Sequence, residues 1–91
     1  MEFETRYGPL YLTRHAMQRW VERTGRSELE MLGALSRARR PSKSQLRRIR
    51  QREAGWNPRR ILECDLAYFI LKNGSVVTVY EKNNMELHHG N

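Results

Sequence analysis

The chain has 91 residues, of which 38% are hydrophobic and 30% are charged. These values predict one globular domain, residues 1–91, with a modest core rather than a disordered chain. The longest apolar run, Ile61 to Tyr80, is interrupted by charged residues and by Asn73-Gly74. This excludes a membrane-spanning helix, which needs about 20 nearly uninterrupted apolar residues.

The cysteine content and the N-terminus point to a cytoplasmic protein. Cys64 is the only cysteine, so an internal disulfide is excluded and a reducing compartment is expected. Glu2 and Glu4 stand where a secretion signal would be basic and apolar. We interpret Cys64 as a small core residue and not as a catalytic thiol.

The formal net charge is +7, and arginine supplies 14 of the 17 basic residues. Guanidinium groups make planar, bidentate contacts with phosphate and stack on bases, which lysine does not. The composition therefore predicts a polyanionic partner, with nucleic acid favoured. The motifs described below add a preference for RNA over DNA. An acidic protein partner, such as an antitoxin, is the alternative, and a membrane partner is not expected.

Residues 1–9 are expected to be frayed, with a turn at Gly8-Pro9 and a short strand around Leu10–Leu12. A helix then follows from about Arg14 to Thr24. Thr13 is its predicted N-cap and Gly25 its C-terminal capping residue.

A second helix is predicted after Ser27, because Ser27 and Glu30 have the spacing of a capping box. Pro41 is expected to stop this helix after Arg39-Arg40. Its apolar stripe is predicted to contain Leu29, Met31, Leu32, Leu35 and Ala38.

A third helix is predicted from Ser42 or Ser44 to about Arg52. Its only sizeable apolar side chains are Leu46 and Ile49, so its anchorage to the core is expected to be weak. Residues 41–60 are therefore interpreted as a basic insert or mobile arm that orders on its ligand.

The C-terminal part of the chain predicts a β-hairpin. Ile61 to Lys72 and Ser75 to Glu81 are rich in apolar and aromatic residues, and Asn73-Gly74 between them is a strong turn signal. Residues 83–91 are expected to be frayed, and the histidines there are not interpreted as metal ligands. The order of elements predicts an α+β fold in which N-terminal helices pack on a small antiparallel sheet.

The first helix carries the most informative constellation. His15, Arg19 and Arg23 follow one another at helical spacing on one side. An imidazole can act as acid or base near neutral pH, and the two guanidiniums can hold a phosphate within its reach. The alternative is an ordinary surface helix, with Arg19 and Arg23 in ion pairs with Glu22. Glu22 is expected to orient a neighbouring arginine.

The last strand supplies the second constellation. With a period of two, Val76, Thr78 and Tyr80 share one face, where Thr78 and Tyr80 could present hydroxyls to a phosphate. The alternative is that these residues were selected for strand propensity alone.

The third constellation is a set of basic residues with an aromatic neighbour, Trp56, which either stacks on a base or fills the core. The predicted nucleic-acid-binding residues are Arg26, Arg39, Arg40, Arg47, Arg48, Arg50, Arg52, Trp56, Arg59 and Arg60. Such a cluster supports affinity for nucleic acid but not sequence specificity.

The motif T-R-H-A-x-x-R-x-x-x-R-x-G at 13–25, with Val-Val-Thr-Val-Tyr at 76–80, resembles a family of small bacterial and phage domains. That family is grouped with the barnase–EndoU–colicin–RelE ribonuclease-like superfamily. The resemblance implies helices packed on a curved antiparallel sheet, with an RNA site between the first helix and the sheet. Carried over by position, it points to His15, Arg19, Arg23 and Thr78 as catalytic residues. The basic insert at 41–60 departs from the family pattern.

The leading hypothesis is therefore a toxin-like endoribonuclease that cleaves RNA by acid–base chemistry, with no metal ion and no cofactor. One alternative is a non-catalytic nucleic-acid-binding module. Another is a small inhibitor from a phage or mobile element that docks on an acidic host protein. The enzyme hypothesis lacks an evident second acid or base, for which Tyr80, Tyr68 and Glu22 are the candidates.

Overall fold

The computed structural model describes residues 1–52 and 60–82, which form one α+β domain with three helices and a five-stranded mixed sheet. The elements in chain order are β1 (Glu2–Thr5), β2 (Gly8–Leu12), α1 (Arg14–Thr24), α2 (Glu28–Ser36), α3 (Lys43–Arg52), β3 (Arg60–Glu63), β4 (Ala67–Lys72) and β5 (Ser75–Glu81). The strand order is β1-β2-β5-β4-β3. None of the helices in the described ranges is long and apolar enough to cross a membrane.

The sheet is mixed, so the prediction of an antiparallel sheet is wrong at one position. β2 and β5 pair in parallel through Tyr11 with Ser75 and Leu12 with Val76, whereas the other strand pairs are antiparallel. The chain leaves β2 directly into α1 and returns to the neighbouring strand only after more than sixty residues. No local pattern signals a pairing between segments so far apart.

The first residues, expected to be frayed, form strand β1. This strand pairs with β2, and the ammonium group of Met1 donates to the carbonyl of Leu12 at 3.2 Å. In the turn between the strands, the hydroxyl of Thr5 accepts from the backbone N–H of Tyr7 and donates to the carbonyl of Gly8. These bonds fix the position of Tyr7.

The segment Ile61 to Lys72, predicted as one strand, is divided into β3 and β4. The break lies at Cys64–Leu66, where the N–H of Cys64 donates to the carbonyl of Ala67 at 3.0 Å. The hairpin predicted at Asn73-Gly74 is confirmed. Both residues have positive φ values, 52° and 78°, as a tight type I′ turn requires.

The predicted bounds and caps of α1 are confirmed. The hydroxyl of Thr13 accepts from the N–H of Ala16, and Gly25 has a left-handed conformation with its N–H donating to Val21. The helix buries Ala16 and Trp20 against the sheet. The Trp20 indole stacks on the Phe69 ring with centroids 5.7 Å apart, which anchors α1 on this face of the sheet.

The capping box at the start of α2 is confirmed in both directions. The backbone N–H of Ser27 donates to the Glu30 carboxylate and lowers the pKa of that group. Two other expectations for α2 are wrong. The helix ends at Ser36 and not before Pro41, because Arg39 forms a β-bridge with Glu63. Leu29, predicted in the apolar stripe, is 77% exposed because it lies on the outer side of the helix.

α3 packs on the opposite face of the sheet from α1 and α2. Ile49 is only 1% exposed and belongs to a second apolar cluster with Ile61, Tyr68 and Ile70. The narrow apolar stripe predicted for this helix is therefore present, but it is seated in a core. The prediction of weak anchorage considered only the width of the stripe and did not include this second cluster, in which Ile49 is buried.

A buried carboxylate joins α3 to the sheet. Glu63 is 5% exposed, and its carboxylate accepts from the Gln45 amide at 3.3 Å. Lys82 Nζ lies 2.5 Å from the same oxygen, and Arg39 Nε lies 3.6 Å from the other. These donors compensate the desolvated charge and hold the start of α3, β3 and the end of β5 together.

We predict that Thr13→Ala lowers the free energy of unfolding by about 1–2 kcal/mol, because it removes the N-cap of α1. It also removes the hydroxyl that donates to the carbonyl of Val76 at 2.8 Å. Urea denaturation followed by circular dichroism measures the effect. Thr13→Ser retains the hydroxyl and should remain close to the wild type; equal loss in both variants would contradict the capping role.

We also predict that Ile49→Ala costs roughly 2–5 kcal/mol, because it leaves a cavity between α3 and the sheet. The matched control is Leu29→Ala, which truncates an exposed leucine and should change the stability by less than about 0.5 kcal/mol. If the two variants unfold at the same urea concentration, Ile49 does not anchor α3.

Candidate nucleic-acid interface

Helix α1 lies along one edge of β5. In the described chain, β2 pairs with β5 only through Ser75 and Val76. Beyond this point α1 takes over: the Thr13 hydroxyl donates to the carbonyl of Val76, and Arg23 Nη1 donates to the carbonyl of Val79 at 2.6 Å. The N-cap and the last turn of α1 are therefore bonded to β5 at Val76 and Val79, so the helix and the strand run in the same direction.

His15, Arg19 and Arg23, here called the α1 stripe, are spaced four residues apart and so lie on one side of the helix, on which Arg23 meets β5. The His15 side chain is exposed near the N-terminus of α1. Arg19 is partly buried and its Nη1 lies 2.6 Å from the Glu22 carboxylate, in the orienting role expected for Glu22. The stripe thus presents an imidazole and one oriented guanidinium to solvent.

Arg23 is the most firmly held member of the α1 stripe. Besides the bond to Val79, its guanidinium lies over the Tyr80 ring, 5.2 Å from the centroid. A guanidinium has five N–H donors, so these contacts fix its plane and leave donors for a further acceptor. The cation–π contact and the charged hydrogen bond together place a positive charge across the edge of β5.

The face predicted for Val76, Thr78 and Tyr80 is wrong for Val76. Thr78 pairs with Ile70 but Val76 pairs with Leu71, so β5 holds one extra residue, Val77, in a bulge. The bulge reverses the alternation: Val76 joins the core beneath α1, whereas Tyr80 packs with the α3 cluster. Thr78, opposite Ile70, lies on the same face as Tyr80, which is the face away from α1.

Two of the other predicted arginines line a groove of about 600 Å³ between α2 and the turn at Cys64–Leu66. Arg26 lies 3.4 Å from the Glu30 carboxylate, and Arg39 lies 3.6 Å from both Glu63 and Asp65. Arg37, which the predicted site omitted, also lines this groove. Carboxylates therefore compensate much of the positive charge on Arg26 and Arg39.

Arg40 and Arg60 come together on one aromatic ring, that of Tyr7. Their Cζ atoms lie 5.6 and 5.7 Å from its centroid. The sequence reasoning proposed both arginines but missed Tyr7, because nothing in its neighbourhood indicates contact with segments 33 and 53 residues away.

The remaining predicted residues lie on or beyond α3. Arg47 and Arg48 are exposed on this helix. Trp56 and Arg59, and the side chains of Arg50 and Arg52, lie outside the described part of the structure.

The candidates for a second acid or base differ in accessibility. Tyr68 is 6% exposed, and its hydroxyl accepts from the Gln45 amide at 3.3 Å, so it does not face a ligand from solvent. Glu22 is engaged by Arg19. Tyr80 is partly exposed, and its ring lies beneath the guanidinium of Arg23, a member of the α1 stripe.

Comparison of the chain with models of protein families, with curated proteins and with solved structures finds no match in any of the three. The resemblance of the α1 stripe to ribonuclease-like domains accordingly remains an expectation from the sequence.

We predict that Arg23→Met destabilises the protein by about 1 kcal/mol, because it removes a charged hydrogen bond to the backbone and a cation–π contact that are both partly exposed. The matched control is Arg19→Met, which breaks only an exposed ion pair and should cost less than about 0.5 kcal/mol. Urea denaturation of the two variants checks the difference. Equal losses would show that Arg23 has no special part in holding α1 to β5.

Proposed function

We propose that this chain is an RNA-binding domain that contacts the phosphate backbone through the α1 stripe. The observation that supports it most is the fixed position of Arg23 at the edge of β5, on the same side of α1 as Arg19 and the exposed His15. A guanidinium that the protein already holds in place loses little conformational freedom when it binds a phosphate. The net charge of +7 adds a long-range attraction for polyanions.

RNA is preferred to DNA on chemical grounds. Proteins read single-stranded RNA with aromatic and guanidinium planes and with contacts to phosphates and 2′-hydroxyls. Tyr80 with Arg23, and Tyr7 with Arg40 and Arg60, provide aromatic rings beside guanidinium planes. Few of these groups read base edges, so the binding is proposed to depend weakly on sequence.

The resemblance to ribonuclease-like domains extends this proposal to a metal-independent, toxin-like cleavage by His15. Neutral His15 would take the proton of a 2′-hydroxyl while that oxygen attacks phosphorus. A 2′,3′-cyclic phosphate forms, the bond to the 5′-oxygen breaks, and the departing oxygen takes a proton from water. Arg19 and Arg23 would stabilise the negative charge that builds on the phosphate oxygens.

Binding without cleavage is the second candidate, and the surroundings of His15 favour it. In the described residues, the His15 imidazole makes no hydrogen bond that would fix its tautomer or orientation. Efficient acid–base catalysts usually have such a partner. Under this candidate the α1 stripe and the other arginines bind RNA and leave it intact.

The cleavage candidate predicts that wild-type protein cleaves total RNA in the presence of EDTA, and that His15→Ala abolishes the cleavage while weakening binding by less than about threefold, because the arginines carry most of the phosphate affinity. Gel electrophoresis detects the cleavage and fluorescence anisotropy measures the binding. Arg14→Ala is the control, because Arg14 is an exposed residue of α1 outside the stripe.

The outcomes separate the candidates. Intact RNA with both proteins, together with binding at physiological salt, would reject cleavage and retain the binding module. Failure of the wild type to bind RNA at physiological salt would reject both. In that case capture of one acidic protein would favour the role of an inhibitor that docks on a host protein.

A further inference from the structure

Two guanidinium groups converge on the Tyr7 ring. The Cζ atoms of Arg40 and Arg60 lie 5.6 and 5.7 Å from its centroid, and both side chains are exposed. Neither makes an ion pair with a carboxylate in the residues that the structure describes. Two positive charges are therefore held near one ring, and no carboxylate of those residues lies at ion-pair distance from either.

Backbone bonds hold the three residues in this arrangement. Tyr7 is fixed in the turn between β1 and β2 by the Thr5 hydroxyl. Arg40 directly follows Arg39, whose backbone exchanges two hydrogen bonds with Glu63, at 3.0 and 2.7 Å. Arg60 begins β3 and pairs with Leu71 of β4. Three segments distant in sequence thus meet through ordered backbone.

The charges favour an anionic ligand at this position. Each exposed cation–π contact is weakly stabilising, but a second guanidinium at the same ring is repelled by the first. A phosphate between or beside them would remove the repulsion and accept hydrogen bonds from both planes. A phosphate diester is an anionic acceptor, and the site provides two planar guanidinium donors next to an aromatic ring.

We propose that Tyr7, Arg40 and Arg60 form a binding site for the phosphate backbone of single-stranded RNA, separate in its residues from the α1 stripe. This proposal rests on the proposed function, because it assigns a second contact to the same ligand. RNA would then contact the protein at two sites. Arg23 lies over the Tyr80 ring in the first site, and Arg40 and Arg60 lie over the Tyr7 ring in the second.

The test measures the salt dependence of binding by wild-type protein and variants. The probe is a mixed-sequence 2′-O-methyl RNA of about 12 nucleotides, which lacks the 2′-hydroxyl needed for cleavage. The slope of log K against log salt is negative, and each lost phosphate contact on a single strand reduces its magnitude by about 0.7. Arg40→Ala and Arg60→Ala should each reduce the slope and weaken binding several-fold at low salt.

Three further variants separate a built site from general basicity. Arg14→Ala removes an equally exposed arginine outside both sites and should leave the slope nearly unchanged. Tyr7→Phe keeps the ring and should bind as the wild type does. Arg40→Lys with Arg60→Lys keeps the charge and loses the planar donors, so the slope should remain while the affinity falls.

The proposal is overturned if Arg14→Ala lowers the slope as much as Arg40→Ala does, since the binding would then reflect net charge alone. It is also overturned if neither arginine variant differs from the wild type while Arg19→Ala weakens binding. That result would leave the α1 stripe as the RNA contact and keep the proposed function. If the wild type does not bind RNA, both the second site and the proposed function are rejected.

Discussion

The arrangement of the candidate interface depends on the carbonyl of Val76. This group accepts the hydroxyl of Thr13 at 2.8 Å, and the same hydroxyl accepts the N–H of Ala16 at 3.1 Å. One side chain thus caps α1 and ties its first turn to β5. Because the parallel pairing of β2 with β5 ends at Val76, the helix continues along the strand edge that β2 leaves. The direction of α1, and with it the side on which His15, Arg19 and Arg23 lie, follows from this junction.

The bulge at Val77 determines what that stripe faces. Without it, Val76 and Thr78 would share a face. With the extra residue, Val76 and Val79 both enter the core beneath α1, while Thr78 and Tyr80 lie on the opposite face. Arg23 can then donate to the backbone of Val79 and still reach across the edge to the Tyr80 ring. Bulges commonly re-aim side chains in this way beside binding sites.

Features whose cause lies within a few residues could be predicted from the sequence. The caps of α1 and α2 depend on hydroxyl and carboxylate groups at fixed short spacings, and the turn at Asn73-Gly74 depends on positive φ values. The parallel strand pair, the bulge and the contact of Tyr7 with Arg40 and Arg60 could not, because each joins distant segments whose partners no local periodicity identifies. The prediction that Leu29 belongs to the apolar stripe was wrong for a related reason, since its exposure depends on which side of α2 meets the sheet.

The arginines also depend on long-range contacts, because the partner of each guanidinium, and not the number of arginines, determines whether it is available to a ligand. Glu30, Glu63 and Asp65 accept ion pairs from Arg26 and Arg39, so a phosphate there would have to compete with carboxylates already in place.

Arg23, Arg40 and Arg60 are instead held by aromatic rings, which orient a guanidinium without neutralising it. Positive charge that is oriented and uncompensated is what a phosphate backbone requires. Under the proposed function, affinity for RNA would therefore arise from these three positions without any contribution from His15. The proposed cleavage would make a further demand, because the RNA itself would have to orient the exposed imidazole, so the proposal for binding does not depend on the proposal for catalysis.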